Sequence, residues 1–513
     1  MSDKILDNKK IAKNTLILYF RMAITMIVSL YTSRIVLSAL GVEDYGIYNV
    51  VGGVVALLNV ISGSMTAATS RFLSYELGQG NSKKLSDTFS TLLNVHILIG
   101  LLVFVLGEIL GVWFIQNKLN IPFDRLDAAI WVLQFSLFTF FCTVVNVPYS
   151  SSVISHEEMG VFAYVAIFEV VAKLSIAFIL LYTIFDRLII YAALLALVSV
   201  IIQLVYYIYC RKYSECRFRI ILEIPLLKNI VSFIGWAFLG NASVVIKTQG
   251  VTVLLNMFFG PVVNAAQGIA NQVESISSRF VSSYMMASNP QIIKLYSANE
   301  HSQMHTLIYR TSKFSAFLLL LIMSPVLLNI NFLLGLWLKE FPACTSVFVV
   351  LTLIYAFIDT LTAPLVTGVL STAKIKWYEI HITVAYIAMV IAIYIGFRLG
   401  LPAEVAFITS IICKLVVLLI LLYHSRRLYD LPLNEYSKKV FLPVILAAAC
   451  PVIVYFISAL VTLPQLFAFV ISSFLVVFFL LIVIWLFGLD YSEKTFLLNI
   501  IRNRILKKPT SNE

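Results

Sequence analysis

Apolar runs of 20 or more residues recur along this chain from Thr15 to Gly488. Each is long enough to cross a hydrocarbon core of roughly 30 Å at 1.5 Å per residue. Length alone, 513 residues, would suggest three or four soluble domains. The runs exclude that reading, because no segment between them exceeds about 30 residues. With 60% apolar and 12% charged residues and a mean hydropathy of +0.95, the chain reads as an integral membrane protein of all-α class.

The spans are expected near 15–37, 46–68, 89–115, 127–148, 159–184, 188–209, 229–258, 262–287, 312–335, 344–370, 375–397, 402–423, 440–461 and 465–488, about fourteen in all. The N-terminal MSDKILDNKKIAKN is charged and runs into the first span without a small-residue cleavage site, so that span reads as a membrane helix and not as a cleaved signal. An even number of spans puts both termini on one side. Of the 37 basic residues, 26 lie on the loops of that side, from Lys4, Lys9, Lys10 and Lys13 to Lys507 and Lys508. Only Lys118, Arg125, Arg187, Lys339 and Arg398 lie opposite. The positive-inside rule therefore predicts cytoplasmic termini, and the net charge of +11 is mostly a topology signal and not a nucleic-acid footprint. The loop YSSSVISHEEMG, with no Lys or Arg, neither supports nor opposes this orientation. The six cysteines show no CxxC spacing, so neither a disulfide framework nor a zinc site is expected.

Six cations remain inside the spans: Arg21, Arg34, Lys173, Lys247, Arg279 and Lys414. A cation at the bilayer centre costs roughly 2.5–3.5 kcal/mol on insertion scales and normally faces a bundle interior or a watery cavity. Several such cations, with few acids equally deep, point to something anionic. The eighth span carries Asn264, Gln267, Asn271, Glu274 and Ser278 along one helical stripe. Such a stripe faces protein or water and not lipid, either as a substrate path or as glue between helices. The seventh aligns Trp236, Gly240, Ser243 and Lys247, and the second aligns Asn49, Gly52, Ala56, Asn59 and Gly63. Glu169 and Lys173 stand four apart and can neutralise each other. Asp359 has no cation near it in sequence, and a carboxylate alone at that depth is suited to carrying a proton. His96 and His381 read as packing residues.

Displacing the chain by 219 residues sets Gly41 on Gly260 and SALGVEDYGIYNVV on MFFGPVVNAAQGIA. Both copies read as helix, short Gly-containing outer turn, helix and polar amphipathic segment. Such repeats are frequent in secondary transporters. The expected organisation is an N-terminal lobe over 1–210, a basic linker over 211–228 and a C-terminal lobe over 229–424. Two extra helices over 440–488 and a tail over 489–513 complete it.

Three segments carry a family resemblance: KNTLILYFRMAITMIVSLYTSRIVLSALGVEDYGIYNVV, TAATSRFLSYELGQGN, and FFGPVVNAAQGIANQV followed by ASNPQIIKLY. The chain resembles the Wzx-type polysaccharide exporters and O-antigen flippases of the MOP superfamily, which also holds the MATE exporters. The resemblance implies two pseudo-symmetric six-helix lobes around a central cavity that opens alternately to each face. It implies a polyprenyl-diphosphate-linked oligosaccharide as cargo, membrane lipid and polysaccharide-assembly proteins as partners, and the bacterial cytoplasmic membrane as location. It also implies that an arginine of the first helix meets the diphosphate, which singles out Arg21. Lys247 and Arg279 are further phosphate candidates, with Asn264, Gln267, Asn271, Glu274 and Asn59 along the path. Asp359, Glu274 and Glu169 are candidates for coupling to H+ or Na+, and no other cofactor is expected. No GxxxxGK[ST] occurs, so no nucleotide site is expected. Two alternatives stay open: a MATE-like drug exporter, which would want cavity acids, and a membrane polymerase or glycosyltransferase, which would want a long outer loop. Arg34 could equally reach the outer interface, and Lys414 has no assigned role.

Overall fold

The structure, a computed structural model, describes residues 8–498 except 57, 119–120, 220–222, 339–340, 460–463, 492, 496–497. Lys4, Lys507 and Lys508 lie outside the described residues, as do the side chains of Asn49 and Ala56. Among the described residues there is no β-strand, and helices make up the chain. That is the expected all-α class, since in lipid only internally bonded helices or closed barrels satisfy the backbone.

The helices are α1 (Asn8–Ala56), α2 (Asn59–Gln79), α3 (Ser82–Lys118), α4 (Leu126–Ser155), α5 (Met159–Tyr182) and α6 (Arg187–Cys210). They continue as α7 (Ile224–Ser297), α8 (His301–Leu328), α9 (Ile330–Leu338), α10 (Thr345–Ser371), α11 (Lys376–Arg398) and α12 (Val405–Tyr429). A short α13 (Leu433–Tyr436), then α14 (Leu442–Ala459) and α15 (Gln465–Val483), close the series. Twelve helices among the described residues are long and apolar enough to cross a membrane, against about fourteen expected. The difference has two physical sources. The 74-residue α7 counts once although it breaks at Gly260, and the polar α2 does not qualify by itself.

The two breaks match. Gly41 inside α1 has φ 79° and ψ 172°, and Gly260 inside α7 has φ 80° and ψ −176°. This region of backbone space is essentially closed to residues with a Cβ. The frame that superimposes the two halves of the sequence therefore superimposes two glycines that turn the chain in the same way.

The chain forms two compact units. One holds residues 1–248, 286–304 and 367–387, and the other holds 249–285, 305–366 and 388–513. In the first unit α1 packs on α5, and α4 contacts α1, α2, α3 and α6. Val36, Ala39 and Leu40 of α1 meet Ile176, Ala177 and Leu180 of α5 and Val198 of α6 in one apolar cluster. Arg125, at the start of α4, ties the far end of this unit together. It donates to Asp44 at 2.9 and 2.5 Å and to Asp186 at 2.6 Å. Asp186 also caps α6 by accepting from the backbone N–H groups of Leu188 and Ile189. In the second unit α14 packs on α15. Asn329, between α8 and α9, donates to the carbonyl of Pro325 at 3.1 Å and to Ser472 of α15 at 3.0 Å. The Pro325 carbonyl lies in the last turn of α8, so Asn329 satisfies an acceptor that the helix itself leaves open.

Candidate functional site

Arg21 lies in the first half of α1, half-buried, with its guanidinium carbon 4.8 Å from the centre of the Phe162 ring on α5. Its Nε is buried without a hydrogen-bond partner. Among the described residues no carboxylate forms an ion pair with it. The next positions on its face do not help: Thr25 donates back to the Met22 carbonyl at 3.0 Å, and Ser29 is exposed. This is an arginine held by an aromatic face with part of its fork unused.

Lys247, also in the first unit, lies 5.2 Å from the centre of the Tyr386 ring. The small-residue face before it is a packing face. A Cβ on Gly240 would run into the carboxylate of Glu379 on α11, and Ser243 donates to the Gly240 carbonyl at 2.6 Å. Glu379 itself is buried and was not singled out from sequence. Its helix opens KWYEIH, where a single acid among cations looks like an ordinary helix start.

A cavity of about 250 Å³ opens within the first unit between α1, α2, α4 and α6. Its polar lining is Tyr48, Asn59, Ser136, Thr139 and Thr143, with Tyr48 edge-on to Tyr191 at 4.9 Å between ring centres. Asn59, on the small-residue stripe of the second span, is one of the lining residues. Ser136, Thr139 and Thr143 were missed, although their spacing of three and four marks one face of a helix. Hydroxyls, an amide and an aromatic ring without a charge suit a neutral polyhydroxylated group, which they can hydrogen-bond and stack upon.

In the second unit the stripe of 264–278 is uneven. Gln267 is buried, and the Asn264 Oδ1 is buried without a hydrogen-bond partner. Asn271 is exposed, Glu274 accepts from Ser278 at 2.6 Å, and Arg279 is exposed. The isolation expected for Asp359 is corrected by the structure. Lys414, buried on α12, forms an ion pair with Asp359 of α10. The pair was hidden from the sequence because its members lie on different helices, 55 positions apart. Thr362 adds a 3.0 Å bond to Asp359 Oδ1, and the lysine Nζ lies 5.6 Å from the centre of the Tyr355 ring. Glu169 and Lys173 pair at 2.6 Å, both more than a third exposed. Arg34 is exposed. His96 is buried between Thr69 Oγ1 at 3.3 Å and the Leu92 carbonyl at 2.7 Å, a packing residue with both ring nitrogens engaged.

The loop that looked electrostatically silent is a hub of the first unit. Glu157 pairs with Lys294 at 2.6 Å and with Lys10 at 3.2 Å, and Gln291 donates to it at 3.1 Å. Asn14 donates to its carbonyl at 3.0 Å. Burial pushes the Glu157 carboxyl up, but Lys294, then Lys10 and Gln291, outweigh it and hold it below the usual carboxylate range. Next to it Glu158 pairs with Lys212 at 2.7 Å. The loop carries no cation because it receives those of other segments.

A family model described as "Polysaccharide biosynthesis protein" matches residues 11–296. No curated protein matches the chain. Among solved structures, a MATE transporter in complex with MaD3S is similar with TM-score 0.71 at 13% identity, over 82% of this chain and 96% of that one. A multidrug resistance MATE family transporter of the MOP superfamily, in an outward-facing conformation, gives 0.70 at 14% identity over 82% and 96%. A MOP superfamily transporter from Pyrococcus furiosus, described as having a binding pocket of reversed polarity, gives 0.69 at 13% over 84% and 96%. At these identities the likeness is one of fold, and it is the fold of multi-pass MOP-superfamily transporters. The family match spans more than half of the sequence, so the chain belongs to the polysaccharide biosynthesis protein family.

Proposed function

We infer that this membrane transporter is a flippase. It carries a polyprenyl-diphosphate-linked oligosaccharide, the repeat unit of an O-antigen, capsule or other exopolysaccharide, across the bacterial cytoplasmic membrane by alternating access, with both termini cytoplasmic. The observation that carries this reading is Arg21. An arginine within a spanning helix, without a carboxylate in an ion pair among the described residues and with a buried Nε unbonded, leaves donors for an anion. A guanidinium offers a diphosphate two parallel charge-assisted bonds and does not lose its charge. Lys247 and Arg279 are the further diphosphate cations. The neutral cavity around Asn59, Ser136 and Thr139 and the polar stripe of Asn264, Gln267, Asn271 and Glu274 suit the sugars. Glu274 and Glu169 are the candidates to exchange a coupling H+ or Na+.

A cation without an acid beside it disfavours cationic cargo, which separates this reading from drug export. The test is Arg21→Ala and Arg21→Lys in a strain lacking the gene, scored by surface polysaccharide at matched protein level. Loss of two charge-assisted bonds, each about 1.5–3 kcal/mol, predicts export reduced by about a hundredfold or more in the alanine variant. Lysine, a point charge without the fork, restores part of it. Full export by Arg21→Ala would refute the reading.

A further inference from the structure

A second cavity, of about 410 Å³, lies in the first unit between the end of α2, the start of α7 and the turn that joins α10 to α11. Its volume falls in the roughly 300–1,000 Å³ range of small-molecule sites. Arg71, Lys374 and Lys376 line it together with Asn229, Ser232 and Trp236, and among the described residues that line it there is no carboxylate.

The three cations are not alike. Lys374 and Lys376 are exposed, whereas Arg71 is only 7% exposed. Arg71 is also fixed on three sides. Its Nε and Nη2 donate to the Ser371 carbonyl at 3.3 and 3.2 Å. Its guanidinium carbon lies 4.6 Å from the Phe72 ring centre and 4.5 Å from that of Tyr75. Two of five N–H donors are spent on Ser371, which leaves three on a planar group already immobilised. Lys376 is held as well, its Nζ 5.3 Å from the Trp236 ring centre and 5.7 Å from that of Trp377. A buried, pre-oriented guanidinium with two exposed ammonium groups at the mouth is a phosphate-binding arrangement.

The surroundings identify the kind of phosphate. Val231, Phe238 and Trp377, on the helices that line the cavity, are 49%, 44% and 61% exposed. Lysine and tryptophan side by side mark the headgroup level of a membrane protein, and basic pockets between spanning helices hold lipid headgroups. A soluble anion has no use for the apolar flank, whereas a lipid lays its chains along it.

We propose that this cavity binds the phosphate headgroup of a membrane lipid, with Arg71, Lys374 and Lys376 on the phosphate and the chains along the exposed apolar side of α7 and α11. Two lipids carry that chemistry: an anionic phospholipid of the bilayer, and a polyprenyl diphosphate, which as cargo rests on the transport reading above.

The test uses the purified full-length protein and counts retained lipid by native mass spectrometry. The probes are phosphatidylglycerol, phosphatidylcholine, a polyprenyl diphosphate and inorganic phosphate. Wild type is expected to retain at least one of the two anionic lipids about tenfold better than phosphatidylcholine, and the better retained one names the source. The double variant Lys374→Gln/Lys376→Gln, which alters only exposed side chains, is expected to lose about tenfold of that retention with phosphatidylcholine unchanged. Arg21→Ala, the variant that probes transport, is expected to keep the retention of phosphatidylglycerol. The proposal is overturned if the double variant retains anionic lipid as wild type does, or if Arg21→Ala loses as much phosphatidylglycerol as the double variant does. It is equally overturned if millimolar inorganic phosphate displaces the lipid completely.

Discussion

Arg21 in the first unit and Lys414 in the second are both cations at the depth of spanning helices, and the protein treats them in opposite ways. Lys414 is buried and has its counter-charge supplied by Asp359, steadied in turn by Thr362. Arg21 has the face of Phe162 and a buried Nε without a partner. Burial is more complete at Lys414 than at Arg21, and among the described residues only Lys414 is paired with a carboxylate. A cation whose partner is built in serves the resting fold. A cation stabilised by little more than an aromatic face has its best partner outside the chain. The contrast assigns structure to Lys414 and anion binding to Arg21, although in the sequence they look like the same anomaly.

The largest expected effect tests the paired side. Asp359→Asn takes the carboxylate away from a buried lysine, which costs about 3 kcal/mol, the low end for breaking a buried pair because Asp359 is half exposed. Thermal unfolding in detergent should fall accordingly, and Lys414→Met added to Asp359→Asn should recover most of the loss. A double variant no better than the single one would mean that the pair is not the unit of stability. The unpaired side should respond with the opposite sign. Arg21→Leu removes a cation that costs the membrane-embedded fold roughly 2.5–3.5 kcal/mol, so the variant should unfold at the same or a higher temperature while losing export. If Arg21→Leu lowers stability as Asp359→Asn does, the arginine is structural and the comparison collapses.

A smaller effect asks how far the two halves are equivalent in backbone and not only in charge. An alanine at Gly41 or at Gly260 meets no atom within 4 Å, so its cost is the backbone conformation alone, about 1–3 kcal/mol. Gly41→Ala and Gly260→Ala should therefore lower stability by similar amounts. A large cost at one site and none at the other would show that only one half depends on its turn.

Which of these features were legible follows from how far apart their parts lie in the chain. The all-helical membrane class was written in the apolar runs, because each helix satisfies its backbone within its own segment. The Gly41–Gly260 equivalence was legible because a repeat is a comparison of the chain with itself. Asn59 was found on its small-residue stripe, while Ser136, Thr139 and Thr143 were passed over because scattered hydroxyls in an apolar helix carry no charge to draw notice. The Asp359–Lys414 pair and the Glu157 hub were not legible at all. Each joins residues from separate helices or loops, and only packing decides which acid meets which cation. The HEE loop gave no signal of orientation either, since a loop that collects the cations of other segments needs none of its own.

The smallest expected effect concerns Glu169 and Lys173, which lie between the two extremes. They are paired at 2.6 Å as Asp359 and Lys414 are paired, yet with 38% and 43% of their side chains exposed they are not dried out as Lys414 is. An exposed pair at i,i+4 is worth about 0.3–0.5 kcal/mol, so Lys173→Gln should move thermal unfolding by barely more than the error of the measurement. Export then separates two roles for Glu169. If the pair only neutralises itself, Lys173→Gln and Glu169→Gln export alike and keep the same dependence on an applied pH gradient. If Glu169 exchanges a coupling proton, Glu169→Gln abolishes that dependence while Lys173→Gln retains it. Pairing alone therefore does not mark a residue as structural: burial together with pairing does, and Glu169 is the acid of the chain on which that distinction can be measured.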